Sequence, residues 1–530
     1  SADPLATQAG IKILEAGGNA VDAAVAVGFA LSVSYPVAGN IGGGGFMVIR
    51  FADGRSTTID YREKAPALAS RNMYLDSSGN FIPEKSTLGH LAAGVPGSVA
   101  GMLLGLEKFG TMNRKQVITP SYDLAANGFP LHPRLAENLN QTKDKFEKFS
   151  GSKKSFVKSN NELFAADEIW KQPDLAKTLQ RIIDKGSDGF YKGETADLIA
   201  AEMQRGHGLI SKSDLENYQP VIREPLKGTY RGYEIISMPP PSSGGISLLQ
   251  LLHILEGYDL KNYGYASVAT THRYIEAMRR VYADRAEHLG DPDYYKVPVN
   301  WLLSKKYANE RRASIDTTKA SSSKDISHGI APAHESEQTT HYSVVDKWGN
   351  CVSVTTTLNG RFGSCVAVDG AGFLLNNEMD DFSAKPGVPN MFGAVGNVAN
   401  EIQPNKRMLS SMSPTIVVKE GKPFMVIGSP GGTTIITTVM QVICNVIDFG
   451  MDIQQAVDAP RIHHQWLPDI TYFDKDALPA DTIKKLEVMG HKLEQRRTPI
   501  GLAEGIIINN DKGIFYGGSD SRGYGLAAGY

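Results

Sequence analysis

TTHYSVV (residues 339–345) and CVSVTTT (residues 351–357) alternate apolar and polar positions on either side of the five-residue turn DKWGN. Period-two alternation marks a strand with one buried face, and two such runs joined by a short polar loop predict an antiparallel hairpin. If Val345 faces Cys351, partner numbers sum to 696, and Thr339 falls opposite Thr357. Before the hairpin lies TKASSSKDISHGIAPAHES (residues 318–336), whose Ser, Ala, Gly and Pro content predicts an extended linker. A polar threonine pair at the open end of a hairpin, immediately after a linker, calls for a chemical explanation.

A second hairpin lies downstream, where TIVV (residues 415–418) and PFMVIG (residues 423–428) flank Glu420-Gly421. Pairing Lys419 with Lys422 makes partners sum to 841, which sets Ser410 opposite Gly431 and Ser411 opposite Pro430. The loops LSSMSP and GSPGG are therefore expected to meet. GSPGG leads into an apolar helix from about Thr433 to Ile447, so its amides sit at a helix N-terminus, where negative charge is favoured.

Towards the N-terminus, residues 5–16 form an amphipathic pattern stopped by Gly17-Gly18. Asn19 then caps a second helix over residues 20–31, apolar nearly all round apart from Asp22, so it belongs in the core. GFMVIRF, the turn Ala52-Asp53-Gly54 and RSTTIDY predict another hairpin, ending at Arg62. Residues 98–317 read as mostly helical, with polar interruptions at residues 143–161 and a Pro-rich turn, MPPPSSGG, at residues 238–245.

Length and composition exclude several classes. The 530 residues suggest two to four domains or one large one. With 55 Lys+Arg against 57 Asp+Glu there is no electrostatic footprint for nucleic acid or an anionic membrane. The uncharged stretch 23–49 is broken by Pro36, Asn40 and Gly42 to Gly45 well short of a membrane span of ~20 apolar residues. The opening SADPLATQAG has no basic n-region or apolar h-region, so a secretion signal, if there was one, has been removed. Three cysteines, Cys351, Cys365 and Cys444, are too few for a disulfide framework and read as inert core thiols.

IGGGGF and GSPGGTT lack the GK[ST] ending of a phosphate loop, and IGGGGF precedes a strand where a dinucleotide fingerprint follows one. GSPGG reads instead as a tight turn or as an oxyanion hole built from backbone N–H groups. His334, Glu335, Glu337 and His341, with His463-His464 as a second group, are the best metal candidates. They contain no HExxH, and adjacent histidines point to opposite faces of a strand, so no metal is expected.

EQTTHYSVVD, NNEMDDFSAKPGVPN, KRMLSSMSPT and GSPGG together resemble the γ-glutamyltranspeptidase family, and the resemblance runs essentially end to end. GGNAVDAAVA, GGGGFM, YREKAP, GVPGSVAG, YRGY, MPPPSSGG, ADR and GDPD extend it through the first part of the chain. The resemblance implies the N-terminal nucleophile hydrolase fold, a four-layer αββα sandwich of the α/β (α+β) class. It also implies a precursor that cuts itself before a threonine. Here that bond is Gln338-Thr339, leaving a large subunit of residues 1–338 and a small one of residues 339–530, interwoven as one globular domain. A hydroxyl is a weak nucleophile until a base sits beside it, and a freed α-amino group with pKa of ~7.7–8.0 supplies that base within the same residue.

Carried over position by position, the resemblance makes Thr339 the nucleophile towards a γ-glutamyl carbonyl, supported by Thr357, with Gly431 and Gly432 donating to the oxyanion. Arg62, Ser410 and Ser411 are expected to take the donor's α-carboxylate, and Asn359, Glu378 and Asp381 its α-ammonium. Residues 384–393 resemble a lid loop in which Phe392 stands where tyrosine is common, removing a hydroxyl that would reach Asn359. No metal or organic cofactor is implied. The partners implied are a γ-glutamyl donor, water or an amino-acid or peptide acceptor, and the two subunits of one precursor, in an exported protein, periplasmic or secreted. Two rivals stand beside this reading: a cephalosporin or glutaryl acylase of the same fold, and a non-catalytic solute-binding protein.

Overall fold

The computed structural model describes residues 1–160, 162–327, 339–385, 387–391 and 393–530. Two antiparallel sheets lie face to face at its centre. The first has five strands in the order Val221–Arg223, Ser56–Asp60, Gly44–Arg50, Cys351–Thr357 and Thr340–Val345. The second has six, ordered Ile514–Ser519, Glu504–Asn509, Lys422–Gly428, Thr415–Lys419, Tyr233–Ser237 and Leu226–Tyr230. Helices Ala20–Ser34 and Ser98–Phe109 cover the outer face of the first sheet, and Gly244–Leu255, Thr434–Ile447 and Ile453–Asp458 cover that of the second. The architecture is the αββα sandwich expected, and strands from both sides of Thr339 enter both sheets.

Strand parity decides which layer each side chain joins. Met47, Ile49, Val352 and Val354 pack under the helices, whereas Phe46, Val48 and Cys351 turn towards the second sheet. Fully burying such a side chain contributes ~1.5–3 kcal/mol. The glycine run sits where no Cβ fits. A Cβ on Gly43 would lie 2.2 Å from the Thr357 carbonyl oxygen, and one on Gly45 2.6 Å from that of Thr355. IGGGGF is therefore a close-packing device that lets the central strand accept neighbours on both sides.

The first hairpin pairs as predicted, Val345 with Cys351 and Thr340 with Thr356, leaving Thr339 and Thr357 at its open end. Its turn also anchors a helix: the Asp346 carboxylate accepts from the Ala20 amide at 2.9 Å. That helix carries the expected Asn19 cap, which Asp22 closes into a capping box, and runs three residues past the expected end to Ser34, all fifteen residues buried. Among the described residues no helix is long and apolar enough to cross a membrane.

Three expectations need correction. The second hairpin starts with Lys419 opposite Lys422, but a bulge shifts the register so that Val417 faces Met425 and Thr415 faces Ile427. Pro423 has no N–H for the ladder, and Phe424 becomes the extra residue. Partner numbers beyond it sum to 842, so the extrapolated neighbour of Ser410 is Gly432 and that of Ser411 is Gly431. Second, the mostly helical stretch contains five strands: the short pair Phe129–Pro130 and Ile169–Trp170, then Val221–Arg223, Leu226–Tyr230 and Tyr233–Ser237. The last two are joined by Arg231-Gly232, with φ of 52° and 83°, the left-handed pair of a tight hairpin turn. Third, the polar interruption at residues 143–161 is half helical, taking in the end of Pro133–Phe146 and all of Ser150–Phe156.

Candidate active site

One cleft opens beside the end of the first hairpin, and Thr339, Thr357, Asn359, Arg62, Glu378, Asp381, Ser410, Ser411 and Gly432 all line it. Gly431 lies one residue behind the lining, and Phe392 and Gln338 fall outside the described residues. Because paired residues on neighbouring strands point to one side, Thr339 and Thr357 share the face turned towards the second sheet. They are 6% and 3% exposed. Past Thr357 the chain turns sharply: Asn359 has φ 73°, which Asn tolerates, and its amide donates to Thr357 Oγ1 at 2.7 Å.

The acidic side of the cleft is held by two asparagines. Asn376 receives the amides of Gly94 and Glu378 and donates to the carbonyls of Gly42 and Gly94. Asn377 receives the amide of Gly360, and its own carbonyl accepts from Asn359 Nδ2 at 3.0 Å. Glu378 and Asp381 then lie in one short 3₁₀ turn, Glu378–Asp381. Asp380 faces the other way, accepting from Ser86 Oγ at 2.5 Å and the Met391 amide at 2.8 Å. Asn359 Nδ2 reaches Met391 Sδ at 3.8 Å, the neighbour of the proposed lid position.

Arg62 is enclosed by this turn. Nη1 lies 2.6 Å from Glu378 Oε2 and 3.6 Å from Glu63 Oε2, and Nη2 donates to Asp381 and, at 3.1 Å, to the Leu409 carbonyl. Nε donates to the Met408 carbonyl at 3.3 Å, so every edge of the guanidinium is engaged. Burial works against its charge, yet Glu378, Asp381 and Glu63 outweigh it and hold its pKa above the ordinary arginine range. Three carboxyls crowded around one buried cation cannot all ionise freely. Burial pushes Glu63 up to about 8 and Glu378 well above the usual carboxylate range, against the pull of Arg62.

The serine pair lines the same cleft. Ser410 Oγ accepts from the Met412 amide at 3.1 Å, and Ser411 Oγ accepts from Arg285 Nη2 at 2.9 Å. Each hydroxyl is thus loaded as an acceptor and keeps its proton for donation, a suitable pair for an anion. MPPPSSGG is the scaffold of this loop: Ser242 Oγ donates to the Met412 carbonyl at 2.6 Å, and Ser243 donates to the Ser410 carbonyl from both its amide and its hydroxyl.

Gly431 and Gly432, with φ 135° and 55°, lead into helix Thr434–Ile447. Ile500 to Leu502, in a stretch that carried no functional expectation, supports this turn. The Leu502 amide donates to Ser429 Oγ at 3.1 Å, and a Cβ on Gly501 would strike that oxygen at 2.7 Å. At Gly431 a Cβ would meet Thr434 Oγ1 at 2.3 Å in a backbone conformation that L residues rarely adopt. Gly431→Ala is expected to destabilise the protein by about 2–3 kcal/mol, read by chemical denaturation. An unchanged midpoint would show that the turn relaxes freely.

His341 is buried between the sheets, where Thr355 Oγ1 and Ser343 Oγ take its two nitrogens at 2.9 and 3.0 Å. His334, Glu335 and Glu337 lie outside the described residues. His272, Glu276 and His491 come close together, but Glu276 is paired with Arg279 and Arg280, and the two histidines bond each other at 2.7 Å. The three cysteines are buried free thiols, and burial raises Cys351 and Cys444 to about 12.

An αββα sandwich with a threonine at the start of an edge strand, lining a cleft, defines an N-terminal nucleophile hydrolase, an enzyme class. Residues 6–530 match the profile of the gamma-glutamyltranspeptidase family, and the chain belongs to that family. It is 51% identical to a glutathione hydrolase proenzyme of Escherichia coli (strain K12), over 100% of this chain and 91% of that protein. The crystal structure of Helicobacter pylori gamma-glutamyltranspeptidase contains a chain that is 47% identical, with TM-score 0.61, covering 63% of this chain and 96% of that one. A cephalosporin acylase from Bacillus halodurans superposes with TM-score 0.88 at 28% identity, covering 100% of this chain and 95% of that one.

Proposed function

We propose that the chain is a self-processing γ-glutamyltransferase and glutathione hydrolase. It cuts its own Gln338-Thr339 bond and then uses Thr339 Oγ1 to take the γ-glutamyl group from glutathione and related donors. The observation that carries this reading is that one cleft is lined by an acidic pair, Glu378 and Asp381, by a hydroxyl-donating pair, Ser410 and Ser411, and by Thr339. A donor with α-ammonium and α-carboxylate on one carbon matches those two pairs.

In the proposed cycle the new α-amino group of Thr339 removes the proton from Oγ1, and the oxygen attacks the γ-carbonyl. The Gly431 and Gly432 amides stabilise the tetrahedral oxyanion at the positive end of the following helix. The amine leaves with the proton, and the γ-glutamyl ester is released to water or to an amino acid or peptide. Thr357, already accepting from the Asn359 amide, supports the nucleophile. The cut would leave 338 and 192 of the 530 residues. The Escherichia coli relative's name, a proenzyme, supports processing, and export to the periplasm or medium is part of the same reading.

The rival with the same fold is a glutaryl or cephalosporin acylase, whose donors lack the α-ammonium; Asp381 beside Arg62 speaks against it. Family membership removes the solute-binding alternative. γ-Glutamyl-p-nitroanilide is expected to exceed glutaryl-p-nitroanilide in kcat/KM by at least about 100-fold, because buried polar groups left unpaired penalise the analogue. Faster cleavage of the glutaryl compound would reverse the assignment.

A further inference from the structure

Arg285, in helix Val268–His288, was given no role by the sequence, yet it lines the cleft beside Ser411 and is 7% exposed. Its Nε donates to Ser243 Oγ and its Nη2 to Ser411 Oγ, both at 2.9 Å. Ser243 passes the contact on by donating to the Ser410 carbonyl at 2.6 Å. One guanidinium thus holds both serines of the pair. Among the described residues no carboxylate lies in ion-pair range of it, whereas Arg62 is matched by three. Tyr282 and Asp381 are the groups whose charge acts on it, and they only partly offset the burial that lowers its pKa. The positive charge not cancelled by a carboxylate is therefore on the serine side of the cleft, behind Ser411.

We infer that Arg285 is a positioning residue for recognition of the donor's α-carboxylate: by donating to Ser411 Oγ it turns that hydroxyl's proton into the cleft and backs it with positive charge. Arg62, its edges committed to Glu378, Asp381 and two backbone carbonyls, keeps the α-carboxylate role that the resemblance implies for it, and Arg285 adds to that role from behind Ser411. The inference rests on the γ-glutamyl reading of the cleft. A charge-assisted contact of ~1.5–3 kcal/mol corresponds to about 10- to 150-fold in binding.

The test is competition against γ-glutamyl-p-nitroanilide by two probes, L-glutamate and 4-aminobutanoate, which share the ammonium and distal carboxylate but differ in the α-carboxylate. Arg285→Met is expected to raise the inhibition constant of L-glutamate about 10- to 150-fold and to move that of 4-aminobutanoate by less than about threefold. Arg285→Lys, which keeps the charge, should recover part of the loss. Equal rises for both probes, as a merely structural role would give, or no rise for L-glutamate, would overturn the inference. Should the methionine variant stay uncut, the lysine variant decides, with a rise of about tenfold expected for L-glutamate alone. If L-glutamate fails to compete in the unmodified protein, the γ-glutamyl reading itself fails, and that arm separates the two failures.

Discussion

Thr339→Ala is expected to yield one uncut chain of 530 residues with at least about 10⁴-fold lower turnover of γ-glutamyl donors, since the variant lacks the nucleophile of both reactions. The substitution removes a hydroxyl and a methyl from a residue that begins just before the strand Thr340–Val345, so the sheet pairing from Thr340 onward is retained. Loss of activity will therefore reflect missing chemistry and not a missing fold. On a denaturing gel the unmodified protein should show two bands, near the sizes of 338 and 192 residues, and the variant one. Thr339→Ser, which keeps the hydroxyl, should still be cut. Two bands from the alanine variant would place the processing nucleophile elsewhere.

Asp381→Ala should raise KM for γ-glutamyl donors about 100- to 1,000-fold while processing stays intact, because truncating one partner of a buried charge pair costs ~2–5 kcal/mol. The Asp381 side chain is 15% exposed and that of Glu378 is fully buried, so Asp381 is the carboxylate that a donor's ammonium reaches from solvent. Its Oδ1 also accepts from Asn390 Nδ2 at 3.0 Å, which ties the ion cluster to Asn390. Glu63 and Glu378 remain to match Arg62 in the variant, which limits the damage to the fold. An unchanged KM, with two bands on the gel, would remove Asp381 from the ammonium site.

Local periodicity made the first hairpin legible to the residue, because nothing interrupts its ladder between Thr340 and Val345. The second slipped by one position because a sum of partner numbers assumes an unbroken ladder, and Pro423 breaks it. Had the missing N–H been weighed, Ser410 would have been set beside Gly432 from the start. The strands over residues 221–237 were lost for another reason. They are short, half-exposed and set among helices, so neither period is long enough to register, and only the YRGY turn marks them.

The candidate site followed the same division. Thr357 and the serine–glycine juxtaposition were within reach of strand arithmetic. Arg62, Glu378 and Asp381 came through the resemblance alone, since their meeting depends on loops held by Asn376 and Asn377. Arg285 did have a signal. It falls on the stripe of Tyr274, Met278, Val281 and Tyr282, where a cation in a core-facing helix is costly and so asks for a purpose. Ile500 to Leu502 had none, because their support of the GSPGG turn is a long-range contact.

Mass spectrometry of the protein quenched in acid during turnover of a γ-glutamyl donor joins the cut and the chemistry in one measurement. The account predicts a fragment of 192 residues whose first residue is Thr339, a portion of it heavier by one glutamyl group attached at that residue. An uncut chain that turns over donor, or a glutamyl group found on any other side chain, would contradict it.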